Sequence, residues 1–282
     1  MIKFIEAFFT FYMKILSKFL FCFVNISSIV FLLSMHISAQ NAATADSAEK
    51  AEAVIKKAVE KLGGDKYLQV KTQIGRGRFS VMSDNAIISF QSFVDVIVFP
   101  DKERTEFKGT GAKNVQTNIG KSGWIFDGEA QIIKEQTATQ IENYKRGINV
   151  SLDNLLRGGW RGAAQLNYVG KKQGTLGKRN DVVKLVYASG FTVEFEFSDD
   201  GTPVKSTYKT TNADGAEVKE EDRYAQFIEV QGIRTPFIID RFTNNVQVSR
   251  INYENIEFNK PISDAIFATP KNAKELKKDL KL

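Results

Sequence analysis

Histidine and cysteine, which supply many catalytic bases, nucleophiles and metal ligands, are almost absent from this chain. Its one histidine, His36, and its one cysteine, Cys22, both lie in an apolar amino-terminal run. A Ser-His-Asp or Cys-His nucleophilic site needs an imidazole to accept the proton, and most zinc, copper and haem sites need imidazole or thiolate ligands. The rest of the chain offers carboxylate, lysine or tyrosine chemistry and hard-cation oxygen sites. This composition favours binding over catalysis.

Acidic side chains are concentrated in two short stretches, and neither predicts a site. The Asp-Asp-Gly sequence at 199–201 resembles part of a calcium loop, but residues 202–204 break the alternation of oxygen ligands, so a hairpin turn is expected. The acidic run at 220–222 begins a predicted strand, where charges form a solvated edge. No metal site and no cofactor are predicted. An enzyme of this composition would need two carboxylates that converge in the concavity and perturb each other's pKa.

The amino-terminal segment predicts export. Lys14 and Lys18 precede an apolar run that extends to Ile37, and small residues follow at Ala39 and Ala45. This arrangement is typical of a signal peptide, which we place at residues 1–39 and expect to be cleaved after Ala39 or Ala45. Residues 1–12 precede a better start at the second methionine and read as a gene-start extension. The alternative is an uncleaved anchor, because about 20 apolar residues can span a bilayer.

The exported part carries too little charge to indicate nucleic-acid binding. The whole chain has 39 basic and 33 acidic residues, and the first 39 positions hold three lysines and one glutamate, which leaves a net charge of +4. Five lysines gather in the segment 271–282. We expect this basic tail to be solvated, with transient contact to an anionic membrane surface as the alternative.

Hydrophobic periodicity predicts one mainly antiparallel domain over residues 40–270. Apolar residues recur at helical spacing from Asp46 to Leu62, and Gly63-Gly64 ends that helix. From Val70 onward the period changes to two, with turn signals at short intervals. The pattern predicts a curved antiparallel sheet of about 10–11 strands that forms a concave surface, with helix 46–62 before it and helix 137–156 inserted in it to close the concavity.

Two predicted strands indicate which faces of the sheet are buried. In 191–197, phenylalanine and valine alternate with threonine and glutamate, which indicates one dry face and one wet face. In 86–99, both faces are apolar, so we expect both to be covered. The inserted helix 137–156 ends in the glycine-rich stretch 158–162, where Trp160 is a candidate for a mobile lid contact or a membrane contact. The alternative is that Trp160 packs beneath the glycine-rich turn.

These features also resemble a known family. The signal peptide, a helix ending in Leu-Gly-Gly, the long meander and the inserted helix are similar to the LolA/LolB-like proteins, which carry lipoproteins or other lipids across the periplasm. The short motifs that carry the resemblance are Phe99-Pro100-Asp101-Lys102 with Arg104, Gly123-Trp124 to Asp127-Gly128, Gln231-Gly232-Ile233 to Pro236, and Asn259 to Pro270. They match the poorly characterised branch of that family and extend over nearly all of the chain after residue 46.

The resemblance implies that the sheet curves into an incomplete barrel, that the helices act as a lid, and that the apolar cavity between them takes up acyl chains. Aromatic and aliphatic side chains would line it, and the candidates are Phe79, Phe90, Phe93, Val94, Trp124, Phe126, Leu155 and Trp160. An arginine on an early strand would hold the lid or contact a headgroup, and Arg76, Arg78 and Arg104 are the candidates. The alternative for each of these positions is an ordinary core position, which is the commoner place for such residues.

Two functional hypotheses follow. The first is a non-catalytic periplasmic carrier that sequesters a lipid or the acyl chains of a lipoprotein. Each buried methylene gains about 0.8 kcal/mol, so a chain of about 16 carbons gains on the order of 10 kcal/mol, which is enough to retain it in water. The second is an envelope interaction or sensor module, whose sheet binds a protein partner and whose cavity is filled by its own side chains. A carrier requires an open cavity, and an interaction module requires an exposed apolar patch.

Overall fold

The computed structural model describes residues 45–84, 86–109, 111–174, 177–212, 214–277 and 280. The chain divides into two compact units, residues 1–49 and 50–282. Of the first unit, residues 45–49 are described, and they are helical. The predicted signal peptide, the proposed 1–12 extension, Cys22 and His36 lie outside the described residues.

The described residues form one helix that leads into an antiparallel sheet, with a helical insertion. The helices are α1 (45–62), α2 (Asp65–Leu68), α3 (Ala138–Val150) and α4 (Leu152–Leu156), with two 3-10 turns at Asp264–Ile266 and Ala273–Lys277. The strands are β1 (Thr72–Ser83), β2 (Ala86–Val98), β3 (Lys102–Lys108), β4 (Lys113–Ile119), β5 (Ser122–Asp127), β6 (Ile132–Glu135), β7 (Ala164–Gln173), β8 (Arg179–Tyr187), β9 (Thr192–Phe197), β10 (Pro203–Thr211), β11 (Glu217–Val230), β12 (Ile233–Thr243) and β13 (Val246–Phe258).

All described strands join one sheet of 13 strands in the order β6-β5-β4-β3-β2-β1-β13-β12-β11-β10-β9-β8-β7. Every neighbouring pair is antiparallel, and the pairing of β1 with β13 is the one that joins distant parts of the chain. The two ends, β6 and β7, do not pair with each other, so the sheet stays open. The prediction of a curved antiparallel half-barrel is confirmed, with 13 strands rather than 10–11.

Topology places the helical insertion across the opening of the half-barrel. The chain leaves the sheet at β6, passes through α3 and α4, and re-enters at β7 on the opposite edge. The predicted single helix 137–156 is two helices, because Ser151 has extended backbone angles and its hydroxyl accepts a hydrogen bond from the amide of Asn154. Thr137 and Gln140 form a reciprocal capping box that starts α3.

The principal core lies between the inner face of the second half of the sheet and the helices. The apolar stripe of α1 packs with α4 and with inward residues of β8 and β9; its members include Ala51, Ile55, Leu62, Leu155, Val183, Leu185, Val193 and Phe195. Each such side chain contributes roughly 1.5–3 kcal/mol when it leaves water. The helix ends where the sequence predicted: a Cβ atom on Gly63 would lie 2.6 Å from the carbonyl oxygen of Gly232, so the close approach of α1 to the β11–β12 turn requires glycine.

The carboxy-terminal segment covers part of the outer face of β1–β5. Phe267 packs with Ile74 and Val96, and Leu276 packs with a cluster on β4 and β5. Leu276 is 4% exposed although it lies within the basic tail 271–282, so this part of the tail packs against the sheet. Because the tail covers one face of β2 and the concavity lies on the other, β2 is apolar on both.

The expectation that β2 is covered throughout its length is wrong at its amino-terminal end. Ile87, Ile88 and Phe90 are 59%, 64% and 61% exposed. Residues 86–91 pair with β1, except Ile88, which lies at a bulge, and they precede the first β2 residue that pairs with β3, which is Ser92. This part of the β1–β2 hairpin therefore extends beyond β3.

Candidate functional site

The concavity between the inner face of the sheet and α3 contains two adjoining cavities. The larger has a volume of about 850 Å³ and the smaller about 480 Å³. They share lining residues on β2, β12, β13 and α3, among them Ile97, Ile239, Tyr253 and Gly147. The apolar lining of the larger cavity is Leu68, Val70, Ile97, Phe99, Ile148, Ile239 and Ile251. This volume lies within the range of ligand pockets in proteins.

Helix α3 covers the cavities while burying little of itself. Of its 13 residues, Ile141 and Val150 are buried. Gly147 lies on the cavity side of the helix and lines both cavities, and a Cβ atom at this position would have no neighbour within 4 Å. Helix α3 is therefore held in place mainly by the contacts of the residues that follow it.

Arg157 ties the end of α4 to the body of the domain. Its Nε donates to Asp153 Oδ1 at 2.7 Å, and its Nη1 donates to the carbonyl oxygen of Val70 at 3.1 Å. Its guanidinium stacks on the rings of Tyr67 and Phe99, at 4.4 and 4.3 Å from their centroids. The arginine that holds the helical insertion is therefore Arg157, which precedes the glycine-rich stretch and is not one of the three arginines predicted for that role.

A pair of carboxyls lies on the polar part of the larger cavity wall. Asp95 on β2 is directly opposite Thr105 on β3, whose hydroxyl donates to Asp95 Oδ1 at 2.8 Å. Burial raises the pKa of Asp95 well above its usual value, and the negative charge of Glu103 raises it further. Burial also raises the pKa of Glu103, against the attraction of Arg241. These carboxyls hold protons more tightly than exposed ones do.

Tyrosines surround the cavities. Burial raises the pKa of Tyr253 and Tyr224, and it raises the pKa of Tyr208 to about 12, so all three side chains are neutral hydrogen-bonding groups at physiological pH. Tyr253 lies over Gly75, where a Cβ atom would be 2.5 Å from the tyrosine ring. Glycine on β1 thus gives this aromatic its place in the concavity.

Phe79 and Phe93, two of the predicted cavity residues, lie on the inner face in an aromatic cluster. Phe107 contacts both of them, with centroid distances of 5.9 and 6.5 Å, and Phe93 meets Tyr253 edge-on at 5.4 Å. The cluster adjoins the cavities through Tyr253, which lines both. Phe90 lies outside the cluster, on the exposed part of the hairpin.

Three other predicted lining residues are on the outer face. Trp124 and Phe126 are buried with Leu276, and Val94 packs beside the cluster around Phe267. The indole of Trp124 donates to the carbonyl oxygen of Phe267 at 2.9 Å. Alternation along a strand distinguishes two faces but does not say which face bounds the cavity, and here the carboxy-terminal segment takes these residues into its own interface.

Leu155 and Trp160 belong to the principal core. Leu155 is 0% exposed and Trp160 is 6% exposed. The indole of Trp160 donates to the Leu155 carbonyl oxygen at 3.0 Å, and the guanidinium of Arg161 lies 4.7 Å from the ring centroid. Trp160 is thus packed beneath the glycine-rich turn, which was one of its two predicted places.

The three predicted arginines also face away from the concavity. Arg76 pairs with Glu257 at 2.8 Å and Arg78 pairs with Glu254 at 3.1 Å, both across the outer face of β1 and β13. Arg104 is 6% exposed, donates to the carbonyl oxygen of Ile266, and forms a buried ion pair with Glu106. Arg104 therefore fastens the carboxy-terminal segment.

The sequence carried one unused signal for the site. Asp95 is the one charged residue between positions 86 and 99, a stretch that is otherwise apolar or neutral. A carboxyl at a buried strand position needs partners, and those partners mark a polar site. Arg241 gave no such signal, because its place in the cavity wall depends on how β12 pairs with its neighbours.

No helix in the described ranges is long and apolar enough to cross a membrane. No cluster of three or more His, Cys, Asp or Glu side chains suited to a metal ion occurs among these residues.

Comparisons with known proteins identify the fold. No protein-family model and no curated protein matches the chain. A solved DUF1329 family protein from Desulfovibrio piger ATCC 29098 is 13% identical with a TM-score of 0.56, over 77% of this chain and 97% of that chain. A LolA superfamily protein from Nitrosomonas europaea is 14% identical with a TM-score of 0.52, over 78% and 97%. An outer membrane lipoprotein-sorting protein domain from Vibrio parahaemolyticus is 14% identical with a TM-score of 0.55, over 81% and 100%. The chain has a LolA-like fold.

Proposed function

We propose that this protein is a periplasmic, non-catalytic binding protein that sequesters a lipid, or the acyl chains of a lipoprotein, between the half-barrel and α3. The observation that carries the proposal is the cavity of about 850 Å³, bounded by the inner face of the sheet and a helix that buries little of itself. The LolA-like fold supports the same proposal, since the structures that share it include a lipoprotein-sorting domain.

The cavity lining suits an amphiphile. Isoleucines from three strands, Ile97, Ile239 and Ile251, line the wall together with Phe99 and Val70. Each methylene of an acyl chain that leaves water for such a wall gains about 0.8 kcal/mol. The carboxyl pair and the tyrosines supply hydrogen-bonding groups for a polar head. In this proposal these carboxyls bind the ligand, and they carry out no catalytic step.

Export and membrane contact form part of the same proposal. Residues 1–39 act as a signal peptide, so the folded domain works in the periplasm, takes up its ligand by transient membrane contact, and does not bind nucleic acid. Cleavage can be tested by amino-terminal sequencing of the mature protein. A first residue of Gln40 or Asp46 is expected, whereas an intact amino terminus in the membrane fraction would contradict the proposal.

Ligand binding is tested by native mass spectrometry of the protein purified from periplasm, followed by organic extraction and lipid analysis. A stoichiometric lipid or acylated peptide is expected. Titration with a fluorescent fatty-acid probe provides a second readout, and saturable binding at one site is expected. A protein that is free of lipid and also fails to bind the probe would refute the carrier function.

A second candidate function is an envelope interaction or sensor module with a protein partner. The observation that favours it is the exposed apolar end of the β1–β2 hairpin, where Ile87, Ile88 and Phe90 are all more than half exposed. Large apolar side chains that are exposed together are typical of contact surfaces. If acyl binding fails, this hairpin is the first surface to test.

A further inference from the structure

Arg241 differs from the other arginines around the cavities in how its donors are used. Arg157 donates to a carboxylate and to backbone carbonyls, and Arg146 donates to Asn143 at 2.6 Å. Among the described residues, Arg241 forms one salt bridge, to Asp222, with 3.5 Å between Nε and the carboxylate oxygen; it attracts Glu103 at longer range and makes no hydrogen bond. Its side chain is 50% exposed, and it lines both cavities.

The surroundings of Arg241 place apolar and aromatic groups beside the charge. Ile239 lies two residues earlier on the same face of β12 and is paired with Ile251 on β13, and both line the larger cavity. Tyr253 lines it as well. A guanidinium offers five N–H donors in a planar fork that matches a carboxylate or phosphate group. The geometry therefore offers an anion-binding group next to an apolar wall.

The formal charges of the side chains that line the two cavities balance. Five basic side chains (Lys71, Arg146, Arg157, Arg234, Arg241) and five acidic ones (Asp95, Glu103, Asp153, Glu220, Asp222) line them. Burial raises the pKa of Asp95, Glu103 and Asp222, which disfavours the charged form of each carboxyl. The carboxylate of Asp153 is already engaged by Arg157 at 2.7 Å.

We infer that Arg241 binds the oxyanion headgroup, a carboxylate or a phosphate, of an amphiphile whose hydrocarbon chain lies against Ile97, Ile239 and Ile251. This inference rests on the proposed function and deepens it, because it names the class of ligand: a single-chain or double-chain anionic lipid. The Asp95–Glu103 pair lies on the wall of the same cavity.

The test compares three competitors that share one chain length: hexadecanoate, hexadecyl phosphate and hexadecanol. Each displaces a bound fluorescent acyl probe from the wild-type protein, from Arg241→Gln, and from a control, Arg78→Gln, which removes an arginine from the outer face. We expect the anions to bind wild type and the control at least about ten-fold more tightly than hexadecanol, because a charged hydrogen bond contributes roughly 1.5–3 kcal/mol. Arg241→Gln should lose this preference and keep its affinity for hexadecanol.

The outcomes separate the inference from the function on which it rests. Equal affinity of wild type for all three competitors, or an unchanged anion preference in Arg241→Gln, would overturn the role of Arg241 while leaving acyl binding in place. Failure of all three to bind wild type would overturn both. A preference for hexadecanoate alone identifies a carboxylate ligand, and a preference for hexadecyl phosphate alone identifies a phosphate ligand. Retained hexadecanol binding shows that Arg241→Gln is folded, and Arg241→Lys should keep part of the preference.

Discussion

Gly147 is a position at which a larger side chain can fill the cavity without removing any core side chain. It lies within α3, lines both cavities, and has open space where a Cβ atom would stand. Glycine in a helix interior costs about 1 kcal/mol relative to alanine, so Gly147→Ala should raise the free energy of unfolding by about that amount. Gly147→Leu should raise it by about 0.8 kcal/mol through helix propensity, and more if the side chain packs on the cavity wall.

The same substitution should weaken ligand binding. The leucine side chain puts about four carbon atoms into the space available to an acyl chain, and at about 0.8 kcal/mol per displaced methylene the loss is about 3 kcal/mol, or roughly a hundred-fold in Kd. Gly147→Ala adds a single methyl group and is the matched control. We therefore expect Gly147→Leu to combine higher stability with much weaker binding, an outcome that misfolding cannot produce.

The assay pairs urea denaturation, followed by tryptophan fluorescence, with titration of a fluorescent acyl probe. Both variants should unfold at higher urea than wild type, with unchanged dependence on denaturant. If Gly147→Leu binds the probe as tightly as Gly147→Ala, the ligand does not occupy the space under α3 and the proposed site is wrong. If Gly147→Leu is less stable than wild type, the leucine side chain does not fit the space beside the helix.

Three further predictions concern the clamp, the carboxyl pair and the hairpin. Arg157→Lys should lower the free energy of unfolding by about 2 kcal/mol, because lysine cannot reach both Asp153 and the Val70 carbonyl. The control is Arg161→Lys, at an exposed ion pair, which should change the free energy of unfolding by less than about 1 kcal/mol. Equal effects of the two substitutions in urea denaturation would argue against the role of Arg157 in holding the insertion. Because the pKa of Asp95 is raised in the folded state, its contribution is fully present below the unfolded pKa and is lost as pH rises through the folded pKa. In urea denaturation, Asp95→Asn should therefore gain stability relative to wild type as the pH rises from about 4, and a difference that stays constant from there upward would contradict the shift. Ile88→Ser and Phe90→Ser together should change the free energy of unfolding by no more than about 0.5 kcal/mol per substitution, because both side chains are mainly exposed. A larger loss of stability would show that the end of the β1–β2 hairpin packs against other residues in solution. A protein partner that wild type retains in a pull-down and the variant loses would support the interaction module.

The fold was largely predictable because its signals are local. Helix α1 ends at residue 62, before Gly63, as its apolar spacing and the paired glycines indicate. The alternation in β9 places Val193 and Phe195 in the core. The curved sheet and the inserted helical segment follow from similar patterns, and the half-barrel with its lid was expected from the family resemblance. The break of the insertion at Ser151 was missed, because a serine that caps a new helix looks the same in sequence as a serine within one.

The candidate site was less predictable, because it depends on which face of each strand turns toward the helices. Trp124 and Phe126 have the residue types of a cavity wall, yet the carboxy-terminal segment covers them. Arg104 is on an early strand, as the family resemblance requires, but it contacts Ile266, 162 positions away. Distinguishing the two faces required knowledge of what each one packs against.

The sequence alone determined the kind of chemistry and the kind of architecture. Without imidazole or thiol beyond residue 39, and with a period of two over most of its length, the chain was restricted to an antiparallel domain with carboxylate, arginine and tyrosine groups. Only the tertiary structure decided which of these groups share the concavity. Asp95, Arg157 and Arg241 are far apart along the chain, and they line one cavity because β1 pairs with β13 and because the insertion spans the open edges of the sheet. Contacts between distant residues depend on the packing of the whole domain, and local propensity carries no record of them.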